Sequence, residues 1–252
     1  MDGYATLLGA LLFALVFVFV GRLRFLDRVG GERWLDLAAG VALAYVFVDI
    51  FPHLAREQVV LHAAAEVGFT GFLEHHAYLV ALFGFAVFLG ANLRSEELES
   101  AQPGELPPRI ARAGVAVVVL TVSAYVGLLG YMLEEQPDHR AEPVAIFALA
   151  MAIHMLGVAH SLRGRQPGLY DRVHRYLFAA AALVGWGIGV LVDVPDTTYA
   201  LWFSFLAGSI IAVTVTCELR RITSNTRFGF FFVGTSAFAA VLLLLEYAIK
   251  LE

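Results

Sequence analysis

The chain has 252 residues, of which 60% are hydrophobic and 15% are charged, whereas soluble domains carry about 25% charged residues. This composition excludes a soluble globular protein and predicts a polytopic membrane protein, in which the placement of charges matters more than their net value of -5. The single cysteine, Cys217, excludes an intrachain disulfide and C-x-x-C metal motifs, and the absence of a basic patch or a Gly-rich phosphate loop excludes nucleic acid as an expected partner.

Eight apolar stretches are long enough to cross a bilayer, whose hydrocarbon core requires about 20 apolar residues per helix. They predict an all-α fold with a single transmembrane domain over residues 1–252, surrounded by the lipid bilayer. In chain order, the predicted spans are approximately 4–21, 35–54, 76–93, 110–133, 143–162, 174–194, 198–218 and 228–248.

The basic residues divide unevenly between the two sides of these spans. Of the 17 lysines and arginines, 14 fall on one side, and only Arg56, Arg140 and Lys250 fall on the other. Because basic loops stay in the cytoplasm, the sequence predicts an integral protein of the plasma (inner) membrane with both termini extracytoplasmic.

The second predicted span ends in "VDIFPHL" (48–54), an unusually polar sequence for a membrane helix. Asp49 and His53 are four residues apart and therefore lie on one helical face. Pro52 frees a backbone carbonyl one turn earlier and permits a kink. Two interpretations stay open: an acid–histidine hydrogen bond that caps the helix end, and an entrance site for a cation or proton at the outer surface.

His154 lies near the middle of the fifth span, deeper than any other ionisable residue. Imidazole binds metals and titrates near neutrality, so His154 is a candidate metal ligand or proton relay. The alternative is a neutral core histidine that is hydrogen-bonded to a hydroxyl such as that of Ser123 or Tyr125.

The sequence does not predict an enzyme, since it contains no G-x-S-x-G motif and no H-E-x-x-H motif. The least favoured alternative is an intramembrane zinc-dependent hydrolase of the seven-helix ceramidase and adiponectin-receptor type. Asp49, Ser123 and His154 match part of that scheme, but the H-x-x-x-H pair on a late helix is missing.

The second and seventh spans have similar sequences. "AAGVALAYVFVDIFPHL" (38–54) and "LAGSIIAVTVTCELRR" (206–221) each open with an Ala-Gly pair, Ala39-Gly40 and Ala207-Gly208, and continue through small and β-branched residues to an acid. Because these two spans run in opposite directions, the match indicates inverted repeats.

With these helices, eight spans and both termini outside, the chain resembles the ZIP family of divalent-metal transporters. The third span, "LVALFGFAVFLGANLRSEE" (79–97), is similar to the third helix of that family. The resemblance implies a 3+2+3 arrangement, in which two inverted three-helix repeats surround the fourth and fifth helices. It also implies a homodimer and a metal site on those two central helices.

The central helices depart from the metal-binding motifs of the family. The fourth span has no histidine, asparagine, proline or acid before Glu134 and Glu135 at its outer end. In the fifth span His154 matches the first ligand position, whereas Gly157 and Val158 replace the proline and the glutamate. Zinc normally takes about four ligands, so the usual binuclear site is not expected here.

Two main hypotheses follow from the resemblance. In the first, the chain is a divergent ZIP-like transporter that moves zinc, another divalent metal or another small solute by alternating access. Its metal ligands would be His154, Asp49, His53, Glu134 and Glu135, and the only bound Zn²⁺ or other divalent metal expected is the substrate. In the second, the chain is a ZIP-fold membrane protein without metal transport, acting as a sensor, scaffold or assembly partner.

Overall fold

The described part of the chain forms eight long helices and contains no strand. The structure is a computed structural model, and it describes residues 2–23, 31–64, 76–100, 107–139, 143–219 and 225–249. The helices, numbered in chain order, are α1 (Asp2–Phe19, followed by a 3₁₀ turn at Val20–Arg22), α2 (31–64), α3 (Ala77–Ser100), α4 (Pro108–His139), α5 (Val144–Arg165), α6 (167–191), α7 (196–218) and α8 (Asn225–Ile249).

Within these ranges α2, α6 and α7 each contain a π-turn, in which a backbone N–H bonds to the carbonyl five residues back. The segments of α2 are Gly31–Tyr45, the π-turn Val46–Ile50 and Phe51–Ala64. Those of α6 are Pro167–Leu169, the π-turn Tyr170–His174 and Arg175–Leu191. Those of α7 are Asp196–Val213 and the π-turn Thr214–Glu218.

Each of the eight helices contains a segment that is long and apolar enough to cross a membrane. The prediction of an all-α polytopic membrane protein with eight spans is therefore confirmed. Every predicted span overlaps one of these segments, and most of the boundaries agree within a few residues.

The predicted end of the second span is wrong, because α2 continues beyond Leu54 to Ala64. The proline does not stop the helix. Pro52 has no N–H to place in the helical ladder, and the π-turn immediately before it directs the Phe51 N–H to the Val46 carbonyl oxygen. Asp49 and His53 therefore lie inside a helix, and the interpretation of this pair as a helix-end cap is also wrong.

The predicted start of the sixth span is seven residues too late. α5 ends at Arg165 and α6 begins at Pro167, so that Gln166 alone separates them. Proline is favoured at the first helical position, where its missing N–H has no intrahelical partner to lose. Pro167-Gly168, a dipeptide that is common in turns, starts the next helix here.

Three helix pairs cross so closely that a β-carbon on either glycine at the crossing would overlap the backbone of the partner. In the α3–α7 pair, a β-carbon on Gly84 would strike the Phe205 carbonyl oxygen, and one on Gly208 would strike that of Ala81. The same reciprocal arrangement joins α2 to α8 through Gly40 and Gly234, and α4 to α6 through Gly130 and Gly185. Small residues of this kind allow close packing in membranes, where apolar burial drives helix association little.

The interior of the bundle is formed mainly by α2, α5 and α7, whose spans are 56%, 56% and 67% buried. By contrast, the spans of α6 and α8 are 22% and 17% buried and form the outside of the bundle. α5 buries a wide face that includes His154, whereas Leu149 on its other side is 49% exposed, and it contacts α1 and α2.

The two ends of the bundle differ in charge. The basic end is the one at which α1, α3, α5 and α7 finish and α2, α4, α6 and α8 begin. Contacts there join Tyr170 to Phe17 and Arg163 to Asp171, and Arg227 binds the buried Asp36 through two hydrogen bonds of 3.0 Å each. The described arginines of this end are Arg22, Arg33, Arg94, Arg109, Arg112, Arg163, Arg165, Arg172, Arg175 and Arg227. Arg24, Arg28, Arg220 and Arg221 lie outside the described residues, and the side of the membrane that this end faces stays a prediction.

Candidate functional site

A hydrogen-bonded histidine–tyrosine pair lies in the interior of the bundle. His154 of α5 is fully buried, and its Nε2 is 2.8 Å from the hydroxyl oxygen of Tyr125 on α4. The ring of Phe88 on α3 packs against Tyr125, with 5.0 Å between the ring centroids. The prediction that His154 bonds to a hydroxyl such as that of Tyr125 is confirmed.

A narrow crevice of about 40 Å³ lies on the basic-end side of this pair, between α3, α4, α5 and α7. Its inner limit is set by Phe88, Val122 and Val158. Val122 precedes Tyr125 by one helical turn and Val158 follows His154 by one turn, so the crevice ends beside the buried pair. The lining residues are Phe88, Ala91, Asn92, Ser95, Val118, Val122, Val158, Ser161, Leu162, Arg165, Val213 and Thr216.

A second crevice, of about 20 Å³, continues from the first toward the start of α6. The two share four lining residues, Ser95, Val118, Leu162 and Arg165, and the second also reaches Gln166 and His174. Together they lie between the His154–Tyr125 pair and the basic end of the bundle.

Arg165 lies where the two crevices meet. Its Nη2 donates to the Asn92 side-chain oxygen over 2.9 Å and lies 3.9 Å from Glu96 Oε1. The Asn92 amide in turn donates to Glu96 over 3.1 Å. The Arg165 side chain is 16% exposed and that of Glu96 is 34% exposed, so the guanidinium faces the protein more than the carboxylate does.

A second buried histidine lies in the half of the bundle away from the basic end. His53 Nε2 is 3.0 Å from Glu57 Oε1, one turn further along α2, and both side chains are buried. The His53 ring packs edge-on against Phe203 of α7, with centroids 4.3 Å apart, and Tyr199 lies beside it. Neither ring nitrogen makes a hydrogen bond to a described residue, so the 3.0 Å approach to Glu57 is a close contact that becomes an ion pair only when the imidazole is protonated.

Sequence reasoning missed Glu57, because the helix was expected to end before it. The signal was present in the four-residue spacing of His53 and Glu57, which places two side chains on one face when the helix continues. Asp49 lies in the π-turn of α2 and is half-buried.

Glu134 and Glu135, the two acids of α4 that were predicted as metal ligands, have different neighbours. Glu134 Oε2 accepts hydrogen bonds from the Thr6 hydroxyl of α1 and from the Trp186 indole N–H of α6, the latter over 2.8 Å. Glu135 is buried beside Tyr131, whose hydroxyl donates to the Val192 carbonyl oxygen over 3.3 Å.

The structure thus does not gather the five predicted metal ligands at one site. Within the described ranges, no group of three or more histidine, cysteine, aspartate or glutamate side chains could hold a metal ion. His154 bonds to Tyr125, His53 contacts Glu57, and Glu134 bonds to Thr6 and Trp186. The metal site stays a prediction.

Comparison with the models of known protein families gave no match, and comparison with curated proteins gave none either. The resemblance to the ZIP family therefore depends on the sequence motifs alone.

Proposed function

We propose that the protein is a membrane transporter that carries a small solute by alternating access. The observation that carries this proposal is the crevice, which lies between the basic end of the bundle and the buried His154–Tyr125 pair. Its walls are mainly apolar with a few polar groups, as in many small-ligand sites, and its volume of about 40 Å³ is that of a narrow path.

Internal symmetry in the packing supports a ZIP-like 3+2+3 arrangement. In such an arrangement α1–α3 correspond to α6–α8, and α4 corresponds to α5. The counterpart of the α2–α8 pair is then the α7–α3 pair. In both pairs, each glycine faces the residue three positions before the other glycine, Leu37 and Phe231 in the first and Ala81 and Phe205 in the second, an offset that the α4–α6 crossing shares. The π-turns of α2 and α7 also begin at the same distance, six residues after Gly40 and Gly208.

Transporters with inverted repeats bind substrate near the bilayer midplane, between the repeats. In the proposed arrangement the His154–Tyr125 pair would have this position, because it joins α5 to α4, the two helices between the proposed repeats. On the far side of the bundle, His53 and Glu57 are buried beneath Phe203 and Tyr199. These contacts support a conformation open toward the basic end and closed at the opposite end.

With basic loops in the cytoplasm, the open crevice would face the cytoplasm and both termini would lie outside the plasma (inner) membrane. The proposed arrangement also includes the homodimer that the family resemblance implies.

A second candidate substrate is a divalent metal ion such as zinc, and the buried His53–Glu57 pair favours it. Neutral imidazole and carboxylate are both zinc ligands, and here they lie 3.0 Å apart. In this case His154 and Asp49 would act at later stages of the same path.

Side-specific labelling tests the proposed conformation, open toward the basic end and closed at the opposite end, without knowledge of the substrate. In a Cys217→Ser background, Ser161→Cys places a thiol in the crevice and Phe203→Cys places one beside His53. A membrane-impermeant maleimide applied to oriented proteoliposomes should label the first thiol only from the basic side. Labelling of Ser161→Cys from the opposite side alone, or from neither side, would overturn the proposal.

Uptake of zinc, iron and manganese into the same proteoliposomes tests the second candidate. Saturable uptake that is lost in His154→Ala supports a metal substrate. If none of the three metals shows saturable flux, the metal candidate is overturned. The labelling experiment then decides whether another solute can be the substrate.

A further inference from the structure

We propose that Arg165, Asn92 and Glu96 form a latch that keeps the basic end of the crevice narrow and that opens when the crevice widens. The latch joins α5 to α3 through contacts between side chains. This inference rests on the proposed function, because it assigns a gate to the crevice of that transporter.

The three side chains of the latch contact one another in a closed set. Arg165 Nη2 donates to Asn92 Oδ1 over 2.9 Å, and the Asn92 amide nitrogen donates to Glu96 Oε1 over 3.1 Å. Glu96 Oε1 also lies 3.9 Å from Arg165 Nη2, at the distance of an ion pair. Since Asn92 uses both ends of its amide, each partner orients the next, and removal of one partner weakens the contacts of the others.

The latch crosses the crevice between two helices that have different main packing partners. α3 packs mainly against α7 and α4, whereas α5 packs mainly against α1 and α2. Arg165 and Asn92 both line the crevice between them. The close glycine crossing of α3 is with α7, through Gly84 and Gly208. α3 and α7 can therefore move together away from α5 once the latch opens, with that crossing intact.

The position of the latch is the basic end of the path. Arg165 is the last residue of α5 and lines both crevices, as does Ser95 of α3. The other polar links described at this end, those of Arg163, Tyr170 and Arg227, involve no residue that lines either crevice. A change in the Arg165 link is thus the one that alters the width of the path directly.

The strength of the latch suits a contact that breaks and re-forms. The Arg165 side chain is 16% exposed and that of Glu96 is 34% exposed, so water can replace part of each contact. Ion pairs that reach solvent stabilise a structure only weakly, whereas rupture of a fully buried pair is costly. The latch can therefore open without the large cost of two charges left buried and unpaired.

The rate of thiol labelling inside the crevice tests the latch. The reporter is Ser161→Cys in the Cys217→Ser background, and a membrane-impermeant maleimide is applied from the basic side of oriented proteoliposomes. Glu96→Gln removes a charge of the latch and keeps the size of the side chain, and Glu96 does not line the crevice. We expect this change to speed labelling about three- to tenfold, as for the loss of one ordinary hydrogen bond.

A double-mutant cycle separates the latch from the width of the Arg165 side chain. Arg165→Gln should also speed labelling, but adding Glu96→Gln to it should change the rate by less than about twofold, because both changes break the same link. The matched control is Glu97→Gln. Glu97 is the neighbour of Glu96 and pairs with Arg94 of the same helix, so its loss should leave the rate unchanged.

A second reporter shows whether a variant merely loosens the whole bundle. Phe203→Cys places a thiol beside His53, away from the basic end, and its labelling rate should be the same with and without Glu96→Gln. Thermal unfolding of each variant shows that it is folded. An unchanged Ser161→Cys rate in Glu96→Gln, an equal effect of Glu97→Gln, fully additive effects in the cycle, or an equal rise at Phe203→Cys would each overturn the latch.

The same measurements distinguish failure of the latch from failure of the proposed function. If Ser161→Cys is labelled from the basic side and Glu96→Gln leaves its rate unchanged, the proposed open conformation stands and the latch fails. If Ser161→Cys is labelled from the basic side only after Glu96→Gln is introduced, the latch stands and the proposed open conformation fails. Absence of basic-side labelling in every variant overturns both.

Discussion

His154 and Tyr125 are hydrogen-bonded over 2.8 Å in the interior of the bundle, and this bond joins α5 to α4. Tyr125 also packs on Phe88 of α3, so that one tyrosine ring links three helices. The arrangement holds the imidazole at the inner limit of a crevice and sets the position of its ring.

Replacement of Tyr125 by phenylalanine should lower the free energy of unfolding by about 1–3 kcal/mol, because the buried Nε2 of His154 loses its partner. Thermal or denaturant unfolding in detergent measures this change. Tyr247→Phe, on the outside of α8, is the matched control and should have no effect, since Tyr247 is 65% exposed. Equal effects of the two changes would show that the central hydrogen bond does not stabilise the fold.

Replacement of Gly208 by alanine should destabilise the protein by about 1–3 kcal/mol, because the new methyl group would overlap the Ala81 carbonyl of α3 and force the two helices apart. Gly229→Ala in α8 makes the same chemical change where no atom lies within 4 Å. That control should be neutral or stabilising by up to about 1 kcal/mol, because alanine is the better helix former. Similar unfolding temperatures for both variants would refute the close α3–α7 crossing.

Replacement of Asp36 by asparagine should weaken the attachment of α8 to α2. Breaking a buried ion pair costs about 3–5 kcal/mol, but Arg227 is 21% exposed, so solvent reduces the expected loss to about 1–3 kcal/mol. Arg94→Gln removes a more exposed arginine that pairs with Glu97, and it should cost less than about 1 kcal/mol. A double-mutant cycle with Arg227→Gln measures the coupling, and additive losses in that cycle would count against the pair.

Replacement of Glu57 by alanine should destabilise the protein by about 1–3 kcal/mol, since it leaves the buried His53 without its charged neighbour. Arg56→Ala, at the adjacent exposed position, serves as the control and should leave the unfolding temperature unchanged. The same variants test the metal candidate through ligand-linked stability. Zinc should raise the unfolding temperature of the wild type and of Arg56→Ala but not of Glu57→Ala, and an equal response of all three would exclude zinc binding at His53 and Glu57.

The sequence was sufficient to predict eight spans and their order, because hydrophobicity over about 20 residues is a local property. It was also sufficient to suggest a hydroxyl partner for His154, since a buried imidazole needs a hydrogen bond. It was not sufficient for the end of α2. Pro52, Arg56 and Glu57 together resemble a helix end. The π-turn that accommodates the proline cannot be recognised from the amino-acid composition.

The crevice depends on tertiary packing and so was not predictable from sequence patterns. Asn92, Ser95, Ser161 and Thr216 come from three helices, and each taken alone is an ordinary polar residue near a span end. Arg165 was counted among the arginines that set the membrane orientation. Only the packing of α3, α4, α5 and α7 gives these side chains a common cavity.

The π-turn in α2 rotates the second half of that helix about the helix axis relative to the first half. Each residue of an α-helix advances the chain by about 100°, so the added residue of a π-turn rotates everything beyond it relative to a regular helix. His53 and Glu57 come after Val46–Ile50 and depend on that rotation to face α7 rather than lipid. Deletion of one residue from the turn would keep every side chain of the second half but swing this acid–histidine pair about a quarter turn around the helix. A one-residue change in length at this position would therefore relocate a buried acid–histidine pair while the composition and hydropathy of the span stayed almost the same.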